Sequence, residues 1–297
     1  MAKLFNKDGK GSEELRFATG SFYANADFGK IEGIVGTVER ELARLIGSEA
    51  FESIVTTYKD GEPSELVRAA QRVVGYMATM RYFRLNDISH ETDGRKVKMD
   101  SDNERRPFEW QLERDDEMHL QEYYNALDCL VNLLMDDEGF RKSELYVHIA
   151  QLLIPNAESV TWLTGVETSP YLYLRLVPFL SDAQRYVAKR LGDTDTDDEE
   201  LRTLRDQAIA HRALALFVRK TEMKALPGGA FREAVSSGGR SNSNTTTQLH
   251  DYYEHMIDAS DEYIHEMQHR RDELLGTDER AHLIMPENDV RNKFFRF

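Results

Sequence analysis

Apolar positions recur every three or four residues through most of the chain, and residues that start and stop helices punctuate the runs. In DFGKIEGIVGTVERELARLIG, Ile31, Ile34, Val35, Val38, Leu42, Leu45 and Ile46 share one helical face, and Gly47 is a natural stop. Ser48 starts a shorter helix through Tyr58, ended by the turn KDGEP. Ser64 caps a third, with Leu66, Val67, Ala70, Val73, Val74, Met77 and Met80 on one side. Pro107 opens a long helix whose face carries Leu120, Tyr123, Tyr124, Leu127, Leu130, Val131 and Leu134. Ser143 caps the run SELYVHIAQLLI, which Pro155 stops, and a loop containing Trp162 and Gly165 follows. Helical character restarts at Pro170, is expected to break at Pro178 and resumes to Gly192. The loop DTDTDDEE leads into a helix from about Leu201 to Ala225, closed by LPGG.

Two segments depart from this period. In NDISHETDGRKVKMD, Ile88, His90 and Thr92 alternate with polar neighbours before Asp93-Gly94, and Arg95, Val97 and Met99 alternate after it. Asp-Gly between alternating arms predicts a tight hairpin near residues 88–99. The stretch SSGGRSNSNTTT, residues 236–247, is small, polar and without a core residue, which predicts a flexible linker. The expected fold is mostly α: a multi-helix bundle over residues 1–235 with a small β-hairpin projection, then a C-terminal helical arm over 248–297.

Charge and composition narrow the function. The 297 residues suffice for a real core, and 40% hydrophobic with 31% charged content is that of a soluble globular protein. The formal charge of −15 opposes generic nucleic-acid binding through a basic face, though DNA can slide past an acidic wall without sticking. One cysteine, Cys129, precludes an internal disulfide, and its neighbours Leu130 and Leu133 predict a packed, inert thiol. The start MAKLFNKDGKGSEELR lacks the apolar core of a signal peptide, and no apolar run is long enough to span a bilayer. These features predict a reducing cytoplasm.

The sharpest chemical motif is His265-Glu266-Met267-Gln268-His269, which fits the H-E-x-x-H pattern of zinc hydrolases. Such a site needs both histidines and a third ligand facing a cleft, with the glutamate activating water. The apolar stripe of this helix is Tyr253, Met256, Ile257, Tyr263, Ile264, Met267 and Leu274. At about 100° per residue, His265 and His269 lie roughly 160° from its centre, on a side shared with Glu254, Asp258 and Glu262. Asp261 and Glu273 stand one turn away as ion-pair partners. Arg270 and Arg271 follow the second histidine, and cations there oppose metal binding.

The pairs Glu262/His265, Glu266/His269 and Glu279/His282 resemble di-iron ligand pairs, but two overlap on that same face. Asp193, Asp195 and Asp197 imitate a calcium loop whose glycine and closing glutamate are replaced by Asp198 and Leu204. His211 falls on an apolar face and is expected to be a satisfied core histidine. No catalytic residue, metal or cofactor is therefore expected.

Three segments have the composition of contact devices. Arg95, Lys96 and Lys98 form a basic spot on an acidic protein, followed by Arg105 and Arg106 beside Phe108 and Trp110. The amphipathic helix after the linker presents Tyr253, Met256, Tyr263 and Met267 with Ser260 in the middle, and can pack on its own body or on a neighbouring subunit. Phe294, Phe295 and Phe297 at the end need a docking site, within this chain or elsewhere.

The runs NDISHETDGRKVKMD, PFEWQLERDDE, YYNALDCLVNLL, SELYVHIAQLLI, SPYLYLRLVPFLSDAQRYVAKRLG and KALPGGAFREAV resemble a helical protein family encoded in tailed phages and prophages. The resemblance covers about residues 13 to 235 in order. It implies a virion structural protein of the head–tail morphogenesis cluster, built like the connector (adaptor) proteins that form rings beneath the portal. The partners it implies are further copies of this chain, the portal protein, tail or neck proteins, and DNA passing through a lumen without specific binding. The implied location is the virion, assembled in the host bacterial cytoplasm. The family supplies no catalytic residues to carry over.

Overall fold

Described in the computed structural model are residues 2–20, 27–61, 64–86, 89–91, 94–96, 108–191, 198–220, 223–225, 231–233 and 243–275. The protein is mostly helical, and it divides into two units, Met1–Ala150 and Gln151–Phe297. That boundary falls inside the single body expected over residues 1–235.

The first unit contains α1 (Gly11–Thr19), α2 (Gly29–Ile46), α3 (Ser48–Asp60), α4 (Glu65–Asn86), α5 (Glu109–Asp136) and α6 (Glu144–Ala150). α4 is its hub, packing against α1, α2, α3 and α5. Its faces bury Val67, Ala70, Val74, Met77, Ala78 and Met80, so the helix is apolar on more than one side. At Gly75, α1 comes so close that a Cβ would lie 2.8 Å from Thr19 Cγ2, which only glycine accommodates without a shift.

Helix α1 has no counterpart among the predicted elements. Its buried positions are Gly11, Ser12, Leu15, Ala18 and Thr19, of which only Leu15 is a large apolar residue. Upstream of α1, Leu4 and Phe5 are buried although they belong to no regular element. Glu39 on α2 holds them, accepting the backbone N–H groups of Lys3 at 2.8 Å and Leu4 at 2.8 Å. Burial pushes the Glu39 carboxyl above its ordinary value, opposed by these two donors. Gln71 Nε2 on α4 donates to the Leu4 carbonyl at 2.7 Å. Gln71→Leu leaves that buried carbonyl without its donor and is expected to destabilise the chain by about 1–3 kcal/mol. Urea denaturation followed by circular dichroism measures it.

Two short strands, β1 (Ser89–Glu91) and β2 (Gly94–Lys96), pair antiparallel with Glu91 opposite Gly94. Of the projection expected over 88–99 these two strands are what is described, and residues 88, 92–93 and 97–99 lie outside the described residues. The closing pair lies one residue earlier than a turn centred on Asp93-Gly94 requires. Relative to that turn the partner of each residue shifts by two, as His90 stands opposite Arg95, so the side-chain faces of the arms are not exchanged.

The second unit contains α7 (Ala157–Thr164), α8 (Pro170–Leu191), α9 (Glu199–Lys220) and α10 (Ser243–Leu275), with β3 (Met223–Ala225) paired antiparallel to β4 (Phe231–Glu233). α9 is central, packing against α7, α8 and α10. It is rich in alanine on its buried side, with Ala208, Ala210, Ala213 and Ala215 enclosed, which lets neighbouring helices approach closely.

Three expectations are corrected here. Residues around Trp162 form α7 and not a loop: Asn156 caps it by accepting the Ser159 N–H at 2.8 Å, and Gly165 ends it with φ 70°. Helix α8 runs unbroken through Pro178. Pro178 is exposed while Leu174, Leu176, Val177 and Leu180 are buried, so the defect faces water and core packing carries the helix across it. Helix α10 begins at Ser243, inside the stretch 236–247 expected to be a linker.

Candidate functional site

The motif-bearing helix α10 is fastened along α9. Met256, Ser260, Ile264 and Met267 are buried, four positions at helical spacing that define its inward face. Ser260 is fully enclosed, and its hydroxyl donates to the Ala208 carbonyl of α9 at 2.9 Å. A polar residue in the apolar stripe is thereby satisfied without water. Tyr263 lies against the His211 ring of α9 at 5.2 Å between centroids. Arg219 donates to the Tyr253 hydroxyl at 3.1 Å, with its guanidinium 5.3 Å from the ring centre.

Charged clamps flank this seam. Arg212 of α9 pairs with Asp261 at 3.2 Å while its guanidinium sits 3.3 Å from the Tyr186 ring centre. Arg270 Nη2 lies 3.2 Å from Asp198 and Arg270 Nε 3.0 Å from Glu200, at the start of α9. Asp198 also caps α9, its Oδ1 accepting the Leu201 N–H at 2.9 Å. That hydrogen bond first, and Arg270 after it, holds the Asp198 carboxyl below its ordinary value. The cation that argued against a metal in the sequence is thus a staple between two helices.

His265 and His269 occupy the outer side. His265 is exposed, and His269 Nδ1 lies 3.3 Å from Glu273. The expected partner Glu273 is present, whereas Asp261 pairs with Arg212 instead of His265. Around them is an open hollow of about 850 Å³ lined by Glu200, Leu204, Asp261, Glu262, His265, Glu266, His269, Arg270 and Glu273. Among the described residues no three His, Cys, Asp or Glu side chains converge so as to hold a metal ion. Glu279, His282, Asp193, Asp195 and Asp197 lie outside the described residues.

His211 is the buried histidine that the sequence implied. Its Nδ1 meets the Gln207 carbonyl at 2.9 Å, so that nitrogen carries the proton and donates. Burial lowers its pKa, with His255 acting in the same direction and the Gln207 hydrogen bond opposing. A lowered folded-state value means the unfolded chain takes up this proton first. Stability is therefore lost as pH falls below the ordinary histidine value of about 6.5, down to the folded-state value. His211→Leu is expected to reduce the loss of thermal stability between pH 7 and pH 5, measured by calorimetry on both proteins.

The candidate interface residues divide accordingly. Met256 and Met267 are each 5% exposed, and Tyr253 and Tyr263 are engaged by Arg219 and His211. Met256 and Met267 are thus packed in the seam with α9, and Tyr253 and Tyr263 are half-buried along it. Trp110 is 58% exposed, beside Phe108 at 64%, at the start of α5. The Gln111 side chain fixes that helix start by accepting the Phe108 N–H at 2.9 Å. Arg95 and Lys96 contribute backbone to β2, and their side chains lie outside the described set. Lys98, Arg105, Arg106, Phe294, Phe295 and Phe297 lie outside it too. Cys129 is exposed, against the expectation of a packed thiol: one step from buried Leu130 is about 100° of rotation, enough to turn it out.

Sequence reasoning missed two features. Glu39 resembled a solvated helix charge, and nothing in its spacing marks it as the acceptor for a distant backbone. Trp162 is 88% exposed, and a lone tryptophan near a glycine carries no signal of that.

Comparison with known protein families, with curated proteins and with solved structures finds no match. The phage-family resemblance rests on the quoted sequence runs alone. Among the described residues no helix is long and apolar enough to cross a membrane.

Proposed function

We propose that this chain is a structural subunit of a tailed-phage particle, a head–tail connector or neck-ring protein that docks on the portal and joins head to tail. The observation that carries the reading is the exposed aromatic pair Phe108 and Trp110 on a fixed helix start. Large aromatic side chains held in solvent are characteristic of contact surfaces, and rigid ones lose little entropy when covered. The sequence runs that resemble the phage family flank and include this point. A charge of −15 suits a wall past which a polyanion must move without sticking. Heterologous contacts between identical subunits would close the ring.

The mechanism is assembly: subunits bind the portal and offer a new face to the tail. A second role in the same particle, such as a tail-completion or other neck protein, uses the same surface on a different partner. The zinc-hydrolase reading gains nothing from α10, where one imidazole is in water and the other lies against a carboxylate. Size-exclusion chromatography of the chain mixed with portal protein tests the proposal. Co-elution is expected, and Trp110→Ala is expected to weaken it at least about tenfold, as loss of an aromatic anchor does. Separate elution of the two unmodified proteins contradicts it.

A further inference from the structure

The most exposed large apolar side chain described is not at the expected contact devices but on α7. Trp162 is 88% exposed and borders a groove of about 440 Å³. Its apolar lining includes Leu153, Pro155 and Leu163, and its charged lining is Glu158 and Asp206, both acidic. Asp206 shares one oxygen with Arg205 at 2.8 Å, and Glu158 is exposed.

The groove wall is firmly built. Tyr173 is buried and donates its hydroxyl hydrogen bond to the Ile154 carbonyl at 2.9 Å. Gln184 holds the same segment at both ends, accepting the Leu153 N–H at 3.1 Å and donating to the Gln151 carbonyl at 3.3 Å. The Asn156 cap fixes the start of α7. An exposed indole on a fixed helix, with carboxylates and no lining cation, is complementary to a segment that mixes arginine with aromatic rings.

The end of the sequence is such a segment, and it belongs to the unit that holds the groove, Gln151–Phe297. Residues 291–297 read RNKFFRF, three cations and three phenylalanines with no acidic side chain, in a protein of net charge −15. The segment follows the end of α10 at Leu275 after residues 276–290. Those intervening residues span up to about 50 Å if extended. A unit of this length typically has a radius of gyration of about 15 Å, so reach does not limit the contact.

We infer that the C-terminal segment of this chain docks in its own Trp162 groove, its phenylalanines against Trp162, Leu153 and Pro155 and its cations toward Glu158 and Asp206. The basic stretch of residues 95–98 fits less well, having cations but no aromatic ring.

The test uses the full chain carrying Trp110→Phe, which leaves Trp162 as its one tryptophan. Acrylamide quenching of Trp162 is expected to be weak in this protein and several-fold stronger when the chain stops after Val290. A synthetic RNKFFRF peptide is expected to restore protection to the shortened chain, and a peptide with its three cations changed to glutamate is not. Glu158→Lys in the full chain, with its helix content checked by circular dichroism, is expected to increase quenching without truncation. Strong quenching in the intact chain, or equal protection by the charge-reversed peptide, overturns the inference. So does protection that appears only as protein concentration rises and a dimer forms, since the occupant is then a second copy.

Discussion

Ile264→Asp is expected to release α10 from α9. Ile264 is 5% exposed in the middle of the inward face, between buried Ser260 and buried Met267. The substitution forfeits the burial of a large aliphatic group, about 1.5–3 kcal/mol. It also places a carboxylate where no cation is described on the inward face of the helix. The sum is expected to exceed about 4 kcal/mol, beyond most single substitutions. Hydrogen exchange checks it: amides from Met256 to Met267 should lose protection while those of α2 and α4 keep theirs. If the seam is dispensable, exchange in α10 will be unchanged. The control Glu262→Ala, on the exposed side, is expected to stay within about 0.5 kcal/mol of the parent.

Phe140→Ala is the second large effect. Phe140 sits in a short 3-10 turn, Phe140–Lys142, and is 1% exposed. Its ring meets Tyr146 of α6 edge-on at 5.9 Å, and its N–H donates to Asp137 at 2.7 Å. The turn lies against both α5 and α6, and the ring is enclosed there. Removing it leaves a cavity between partners that cannot all collapse, and about 3–5 kcal/mol of destabilisation is expected. Urea denaturation gives the figure. Phe140→Leu is expected to recover most of the loss, since it refills most of the volume and leaves a smaller cavity.

Long helices were legible in the sequence, and the reasons are local. Tyr253, Met256, Tyr263, Ile264 and Met267 repeat at helical spacing because one face must be covered, and α9 covers it. The outward placement of His265 followed from that stripe by geometry alone. Capping chemistry was legible too, as at Ser143, whose hydroxyl oxygen accepts the Tyr146 N–H at 3.2 Å.

What could not be read depends on partners far along the chain. Glu39 looks like any helix-surface carboxylate until Lys3 and Leu4 arrive from more than 30 residues away. Pro178 carries a strong local preference that tertiary packing outweighs. Leu15 and Ala18 give α1 too narrow an apolar face to announce a helix, and the fit at Gly75 supplies what the pattern lacks. No linker composition marks the split at residue 150. Of the contact residues expected from the sequence, Trp110 is exposed, and Met256 and Met267 are buried against α9.

Electron microscopy of this chain, alone and mixed with portal protein, tests the assembly role most directly. The account predicts closed rings of the chain seated on the portal, with ring occupancy reduced in Trp110→Ala. Portal particles without added density, beside dispersed single copies of the chain, would contradict it.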